Sequence, residues 1–135
     1  MQAHYSVLVI DSGIGGMSIV KAIRELDRDI SVTYISDDDF FPYGGMSEHK
    51  LINRLHSLVD QALQNFTPDA VIIACNTAST IALTHLRKSF SIPFVGVVPP
   101  IKTASEVSQS RVIGLLATEG TVRRNYIDNL INDFA

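Results

Sequence analysis

Short apolar runs alternate with longer amphipathic stretches, and each run is followed by a turn of Gly, Ser, Asp or Asn. This alternation predicts parallel strands joined by helical crossovers. The apolar runs predict strands over residues 6–10, 31–36, 70–74, 94–98 and 112–117. Apolar residues at helical spacing predict helices over residues 17–26, 47–65, 78–90, 102–108 and 121–134. The predicted fold class is α/β, a three-layer α/β/α arrangement with a parallel, doubly wound sheet.

Composition and charge narrow the possible partners. The chain has 135 residues, of which 46% are hydrophobic and 19% charged, as in ordinary globular domains. Its formal net charge of -3 provides no basic surface for a phosphate backbone, so we expect no nucleic-acid partner. No apolar run approaches the roughly 20 residues that span a bilayer, so we expect no membrane partner. The single cysteine and the absence of a secretory signal pattern predict a cytoplasmic location.

A pair of prolines gives the best candidate boundary along the chain. Pro99 and Pro100 cannot continue a strand ladder or a helix interior. We therefore divide the chain into a first α/β unit over residues 1–98 and a second segment over residues 99–135. Only one predicted strand and two predicted helices lie in the second segment.

Four loops follow the carboxyl ends of predicted strands, where ligands bind in open parallel sheets. They cover residues 11–16, 41–45, 75–79 and 118–121. The first is rich in glycine but is not a dinucleotide fingerprint, because Ser18 replaces the third glycine and Asp11 would repel a pyrophosphate. No Gly-Lys-Ser/Thr motif is present either. The alternative to a ligand-binding role is that these glycines only form a tight turn from strand to helix.

Cys75 lies directly after the third predicted strand, at the start of a predicted helix. A helix N-terminus favours the thiolate and lowers the pKa of a cysteine, so Cys75 is a candidate reactive thiol. Asn76 and Thr77 beside it, and Asp11 at a neighbouring strand end, favour that interpretation. The alternative is a buried structural cysteine. A thiolate phosphatase is disfavoured because Ile81 stands where the phosphate-binding arginine would be.

Other polar residues suggest no metal centre. The histidines lack cysteine or carboxylate partners at ligand spacing and are expected on the surface; they are His4, His49, His56 and His85. The acidic triplet at residues 37–39 predicts a solvated loop, with a helix cap or a turn as the alternative.

Five motifs in this order resemble the aspartate/glutamate racemase family. They are Asp-Ser-Gly-x-Gly-Gly at 11–16, Pro-Tyr-Gly at 42–44, Ala-Cys-Asn-Thr-Ala at 74–78, Gly-Val-Val-Pro at 96–99 and Ala-Thr-x-Gly-Thr-Val at 117–122. The match covers the chain from Val7 onward.

The resemblance implies an amino-acid racemase that moves a proton at the α-carbon of glutamate without a cofactor, giving the D-enantiomer for bacterial peptidoglycan. Such chemistry needs a base beside the carbon and hydrogen bonds that fix the carboxylate. Carried onto this chain, the resemblance implies that Cys75 and Asp11 are catalytic. It implies that the substrate is bound by Asp11, Ser12, Tyr43, Gly44, Asn76, Thr77 and Thr121.

Members of the family use two cysteines on opposite faces of the substrate, and this chain contains only Cys75. The resemblance therefore implies the first domain of a two-domain, pseudosymmetric racemase with the start of the second. We expect an N-terminal part of such an enzyme, or a truncated paralogue, that is inactive alone. The alternative is a non-catalytic module that binds an amino acid or another carboxylate. The fifth predicted strand either extends the sheet in the order 2-1-3-4-5 or pairs with a second copy, and we favour a homodimer.

Overall fold

The computed structural model describes residues 4–122 and 125–134. The strands are β1 (Ser6–Asp11), β2 (Ser31–Ser36), β3 (Ala70–Ile73) and β4 (Phe94–Gly96). The helices are α1 (Met17–Leu26), α2 (Glu48–Asn65), α3 (Asn76–Ser89), α4 (Ile101–Val107), α5 (Glu119–Val122) and α6 (Asn125–Phe134). Short 3-10 turns at Asp38–Phe40 and Tyr43–Gly45 connect β2 to α2.

The four strands form one parallel sheet in the order β2-β1-β3-β4, which confirms the predicted order of the first four strands. After β1 the chain adds β2 on one side and then β3 and β4 on the other. In such sheets ligands bind in the crevice between the carboxyl ends of the two strands where the order changes, here β1 and β3. Ile10 of β1 pairs with Ile35 of β2 and with Ile73 of β3. This register places Asp11 beside the residues that follow β3.

The hydrophobic core lies between one face of the sheet and the helices α2 and α3. Alternate residues of a strand point to opposite faces. The inward set from the sheet is Leu8, Ile10, Val71, Ile73 and Phe94, and the helices add Leu51, Leu55, Val59, Ala78, Ala82 and Leu86. Val9 is buried on the other face, where α1 crosses from β1 to β2. No residue of α1 is itself buried, so that face is thinly covered within the described residues.

The helix bounds agree with those predicted to within one residue except at α3 and beyond residue 118. Helix α3 begins at Asn76 rather than residue 78, because the amide of Ser79 already donates to the carbonyl of Cys75 over 2.9 Å. Cys75 is therefore the N-cap residue of α3 and not part of its first turn. The single helix predicted over residues 121–134 is observed as α5 and α6, and residues 123 and 124 between them lie outside the described residues.

The predicted fifth strand is wrong: residues 112–118 are irregular. Their apolar side chains are exposed, with Val112 81% and Leu116 101% accessible to solvent. A strand needs a hydrogen-bonded neighbour, and the described residues offer this segment none. The chain nevertheless returns to the first unit, because α5 packs against α3 and against the Tyr43–Gly45 turn.

Candidate active site

Asp11 ends β1 at the crevice, Ser12 follows it, and both are buried. The Oδ2 atom of Asp11 accepts a hydrogen bond from the amide of Gly16 over 2.9 Å, which ties the carboxylate to the start of α1. A negative charge is stabilised at that end of a helix. A Cβ atom on Gly16 would lie only 2.9 Å from the Cβ of Ala74 and the hydroxyl of Tyr34. The glycine-rich loop therefore lets the helix approach closely enough to hold Asp11.

Cys75 lies across the crevice from Asp11 and is partly buried. Burial raises the pKa of the Cys75 thiol above its ordinary value, and the negative charge of Asp11 raises it further. The backbone amides of Ala78 and Thr77 and the hydroxyl of Ser12 act in the opposite direction, but they do not outweigh burial. The expectation of a lowered pKa is therefore wrong, because desolvation of the charge exceeds the effect of the helix terminus.

Three threonine hydroxyls cluster at the start of α3. The Oγ1 atom of Thr77 lies 3.0 Å from that of Thr118 and 3.4 Å from that of Thr121. The hydroxyls of Thr118 and Thr121 are themselves 3.0 Å apart. Gly44 approaches this cluster so closely that an added Cβ atom would lie 3.0 Å from the Cγ2 of Thr118. The loop after β2, the first turn of α3 and the start of α5 thus converge on one set of polar groups.

A cleft of about 580 Å³ opens next to the threonines. Its polar wall is formed by Asn76, Thr77, Thr118 and Thr121. Its apolar wall is formed by Val97, Val98, Pro99, Pro100, Leu115, Leu116 and Ala117. Such a combination of apolar walls and a few convergent polar groups is typical of a small-molecule site.

The side chain of Tyr43 points away from this cleft. It is 1% exposed, and its hydroxyl donates to the Oδ2 atom of Asp37 over 2.6 Å. Burial and the adjacent Asp37 raise the pKa of the Tyr43 phenol well above its usual range. Because the hydroxyl of Tyr43 already has a buried partner, Tyr43 can contact a ligand only through its main chain.

Asp37 corrects the expectation of a solvated acidic loop. Asp38 and Asp39 are exposed as predicted, whereas Asp37 is 4% exposed and forms an ion pair with Arg54. Burial acts to raise the pKa of Asp37, but the hydrogen bonds from Arg54 and Tyr43 outweigh it and hold the pKa below its usual value.

Sequence reasoning missed Arg54 and Thr118. Arg54 falls three residues after Leu51 and four before Leu58, on the core-facing side of α2. A charged residue among core positions of a helix indicates that it has a partner, and this pattern could have identified Arg54. Thr118 lies in a loop already assigned to the ligand edge and within the Ala-Thr-x-Gly-Thr-Val motif, of which only Thr121 was expected to bind the substrate. The structure brings Cys75 together with Asp11 and Ser12.

The described residues contain no group of three or more His, Cys, Asp or Glu side chains that could hold a metal ion. Among the same residues, no helix is both long and apolar enough to cross a membrane.

Comparison with known proteins identifies the class to which this fold and crevice belong. Residues 17–135 match the model of the Asp/Glu/Hydantoin racemase family. The chain belongs to this family, as its motifs predicted.

The relatives that it matches narrow the class further. It is 44% identical over 130 residues to glutamate racemase from Histophilus somni strain 129Pt, covering 96% of this chain and 49% of that protein. It is 47% identical over 133 residues to glutamate racemase from Photorhabdus laumondii, covering 98% of this chain and 46% of that protein. The chain thus spans about half the length of the curated relatives it matches.

Solved structures agree with this assignment and confirm the fold class. The chain superimposes with a TM-score of 0.92 on Escherichia coli glutamate racemase in complex with L-glutamate and the activator UDP-MurNAc-Ala, at 43% identity over 98% of this chain and 50% of that one. Glutamate racemase from Aquifex pyrophilus gives a TM-score of 0.86 at 30% identity, over 95% of this chain and 51% of that one.

Proposed function

We propose that this chain forms one half of the active site of a glutamate racemase, with Cys75 moving a proton at the α-carbon. The observation that carries the proposal is the position of the Cys75 thiol at the crevice, between Asp11, Ser12 and the amides that begin α3. The relatives, all named glutamate racemase, support the choice of substrate. In this proposal the D-glutamate formed serves peptidoglycan synthesis in the cytoplasm.

The chemistry requires the sulfur to lose and regain one proton. As a base, the thiolate takes the proton from the α-carbon, and the electron pair of the broken C–H bond is delocalised into the carboxylate. As an acid, the thiol returns a proton to that carbon. Because burial holds Cys75 as a neutral thiol, the resting site is ready to donate. Asp11 is the charged neighbour that we assign to exchange a proton with it.

Substrate binding falls to the groups around the threonine cluster. We propose that Ser12, Asn76, Thr77 and Thr121 donate hydrogen bonds to the carboxylates of glutamate. The main-chain amides of Tyr43 and Gly44 add to them, because the first amides of a short helical turn have no acceptor within the turn. We also assign the carboxylate of Asp11 to pair with the substrate ammonium.

Inversion needs a second acid on the opposite face of the carbon, and Cys75 is the single cysteine among the 135 residues. We propose that polypeptide outside these residues supplies that group. In this view residues 99–135 begin the second α/β unit, and segment 112–117 forms its strand once a neighbouring strand is present. A homodimer is the other assembly that would cover this segment.

Deuterium exchange at the α-carbon tests the proposal. The chain is incubated with L- or D-glutamate in heavy water, alone and mixed with the unmatched half of the Escherichia coli enzyme. We expect the chain alone to label one enantiomer without net racemisation, and the mixture to racemise. Cys75→Ser, a nearly isosteric variant that lacks the thiol, is expected to abolish labelling.

A non-catalytic amino-acid-binding module is the second candidate, favoured because inversion needs two proton-transfer groups and Cys75 is the single cysteine among the 135 residues. It would bind glutamate but label neither enantiomer, with or without the second half. Absence of glutamate binding under both conditions would overturn both functions.

A further inference from the structure

An ion pair between the partly buried Arg54 and the buried Asp37 is linked to the loop that carries Gly44. The Nε atom of Arg54 donates to the Oδ2 atom of Asp37 over 2.9 Å, and its Nη2 atom donates to the Oδ1 atom. The same Oδ2 atom accepts the hydroxyl of Tyr43 over 2.6 Å. One carboxylate is thus held by a two-pronged guanidinium and by a phenol.

Arg54 also contacts the loop at Phe40, before Pro42. Its guanidinium carbon lies 4.1 Å from the centre of the Phe40 ring, a distance at which a cation is attracted to an aromatic face. Phe40 ends the first 3-10 turn, and Tyr43 begins the second. A single side chain of α2 therefore fixes the loop at two points, on either side of Pro42.

The fixed loop is the one that contacts the threonine cluster. Gly44 follows Tyr43 directly, and a Cβ atom at Gly44 would be 3.0 Å from Cγ2 and 3.2 Å from Cβ of Thr118. The Oγ1 atom of Thr118 in turn lies 3.0 Å from that of Thr77. Contacts thus run without a gap from Arg54 to the polar wall of the cleft.

We propose that Arg54 is a positioning residue for glutamate: through Asp37 and the hydroxyl of Tyr43 it sets the main chain of Gly44 against Thr118. The inference rests on the function proposed above, since it assigns this wall of the cleft to the substrate.

Stability alone does not account for the arrangement. Removing a charged pair from water offsets most of its attraction, and apolar residues of similar volume often replace such a pair without loss of stability. An apolar replacement, however, would not provide directional hydrogen bonds. The guanidinium fork donates to both oxygens of Asp37, and a lysine, which is a point charge, cannot reproduce that two-point contact.

Three variants of the full chain test the proposal. Arg54→Gln removes the charge and the fork, and Arg54→Lys keeps the charge alone. Arg87→Gln is the matched control, because Arg87 donates two hydrogen bonds to the carbonyl of Phe94 at the opposite end of the sheet from the crevice. Each variant is measured for glutamate affinity, for unfolding by urea, and for hydrogen exchange at the amide of Met46, which donates to the carbonyl of Tyr43.

We expect Arg54→Gln to weaken glutamate binding about tenfold and to speed exchange at the Met46 amide about tenfold, the effect of losing one hydrogen bond to a charged group. Arg54→Lys is expected to recover resistance to urea but not glutamate affinity. Arg87→Gln is expected to lower resistance to urea and leave the other two measurements unchanged.

Two results would overturn the inference. One is a folded Arg54→Gln variant with the wild-type affinity, and the other is Met46 exchange that follows global stability equally in all variants. If the wild-type chain fails to bind glutamate, the proposed function fails, while Met46 exchange still decides whether Arg54 fixes the loop. Should Arg54→Gln not fold, Tyr43→Phe removes only the hydroxyl and is expected to give the same loss.

Discussion

Gly44→Ala tests whether close packing of the Tyr43–Gly45 turn on Thr118 sets the geometry of the site. The described glycines all have negative φ, so alanine fits the backbone at this position and only the new contact matters. The added carbon would lie 3.0 Å from Cγ2 of Thr118, whereas carbon atoms pack best at about 3.5–4.0 Å. Either atom must therefore move by about 0.5 Å.

We expect the side chain of Thr118, rather than the turn that carries residue 44, to move. In a rigid core such overpacking costs about 1–3 kcal/mol, but Thr118 is exposed at the end of the irregular segment 112–118. Its displacement stretches the 3.0 Å contacts with Thr77 and Thr121 beyond hydrogen-bond length. One lost hydrogen bond is worth about 0.5–1.5 kcal/mol, so we expect glutamate affinity to fall roughly threefold to tenfold.

Gly45→Ala provides the matched control, because a Cβ atom there would meet nothing within 4 Å. Alanine reduces the entropy of the unfolded chain, so both variants gain about 0.4–1 kcal/mol from that source. The assay is glutamate titration followed by amide shifts, with urea unfolding measured alongside. Equal affinity in the two variants, or a loss confined to Gly45→Ala, would refute the reasoning.

Three further predictions concern charge and order. The thiol of Cys75, followed by ultraviolet absorbance, should titrate lower in Asp11→Asn and higher in Ser12→Ala, because the carboxylate opposes the thiolate and the hydroxyl stabilises it; shifts of the same sign would contradict this. Since the folded pKa of Asp37 is lowered, its contribution to stability is present above about pH 4 and lost as the pH falls, so the deficit of Asp37→Asn in urea should shrink in acid. Amides of residues 112–118 should exchange at nearly unprotected rates, and strong protection there would show a strand that the chain forms by itself.

The sequence predicts the sheet well because strand and helix periodicity are local signals. The central strand is apolar on both faces, and the alternation of elements fixes parallel order. The fifth strand shows the limit of such reasoning. Residues 112–117 have the composition of a strand, but pairing depends on a neighbour that a local pattern cannot supply.

The candidate site likewise has one part that local sequence patterns predict and another that they do not. Turns after strands predict that Asp11, Ser12 and Cys75 meet at one edge, because parallel strands end together. The burial of Asp37 depends on Arg54, which is 17 residues away along the chain. No spacing rule joins a loop residue to a helix residue at that distance, so the acidic triplet resembled an ordinary solvated loop.

The state of Cys75 shows how a correct local argument can give the wrong net result. The amides of Thr77 and Ala78 do stabilise a thiolate, as a helix N-terminus should. Burial and the charge of Asp11 oppose them and prevail, so the sulfur keeps its proton at neutral pH. Removal of an α-proton by this thiol should therefore speed up as the pH rises toward the pKa of Cys75. Donation to a carbanion should slow over the same range, because it needs the protonated form.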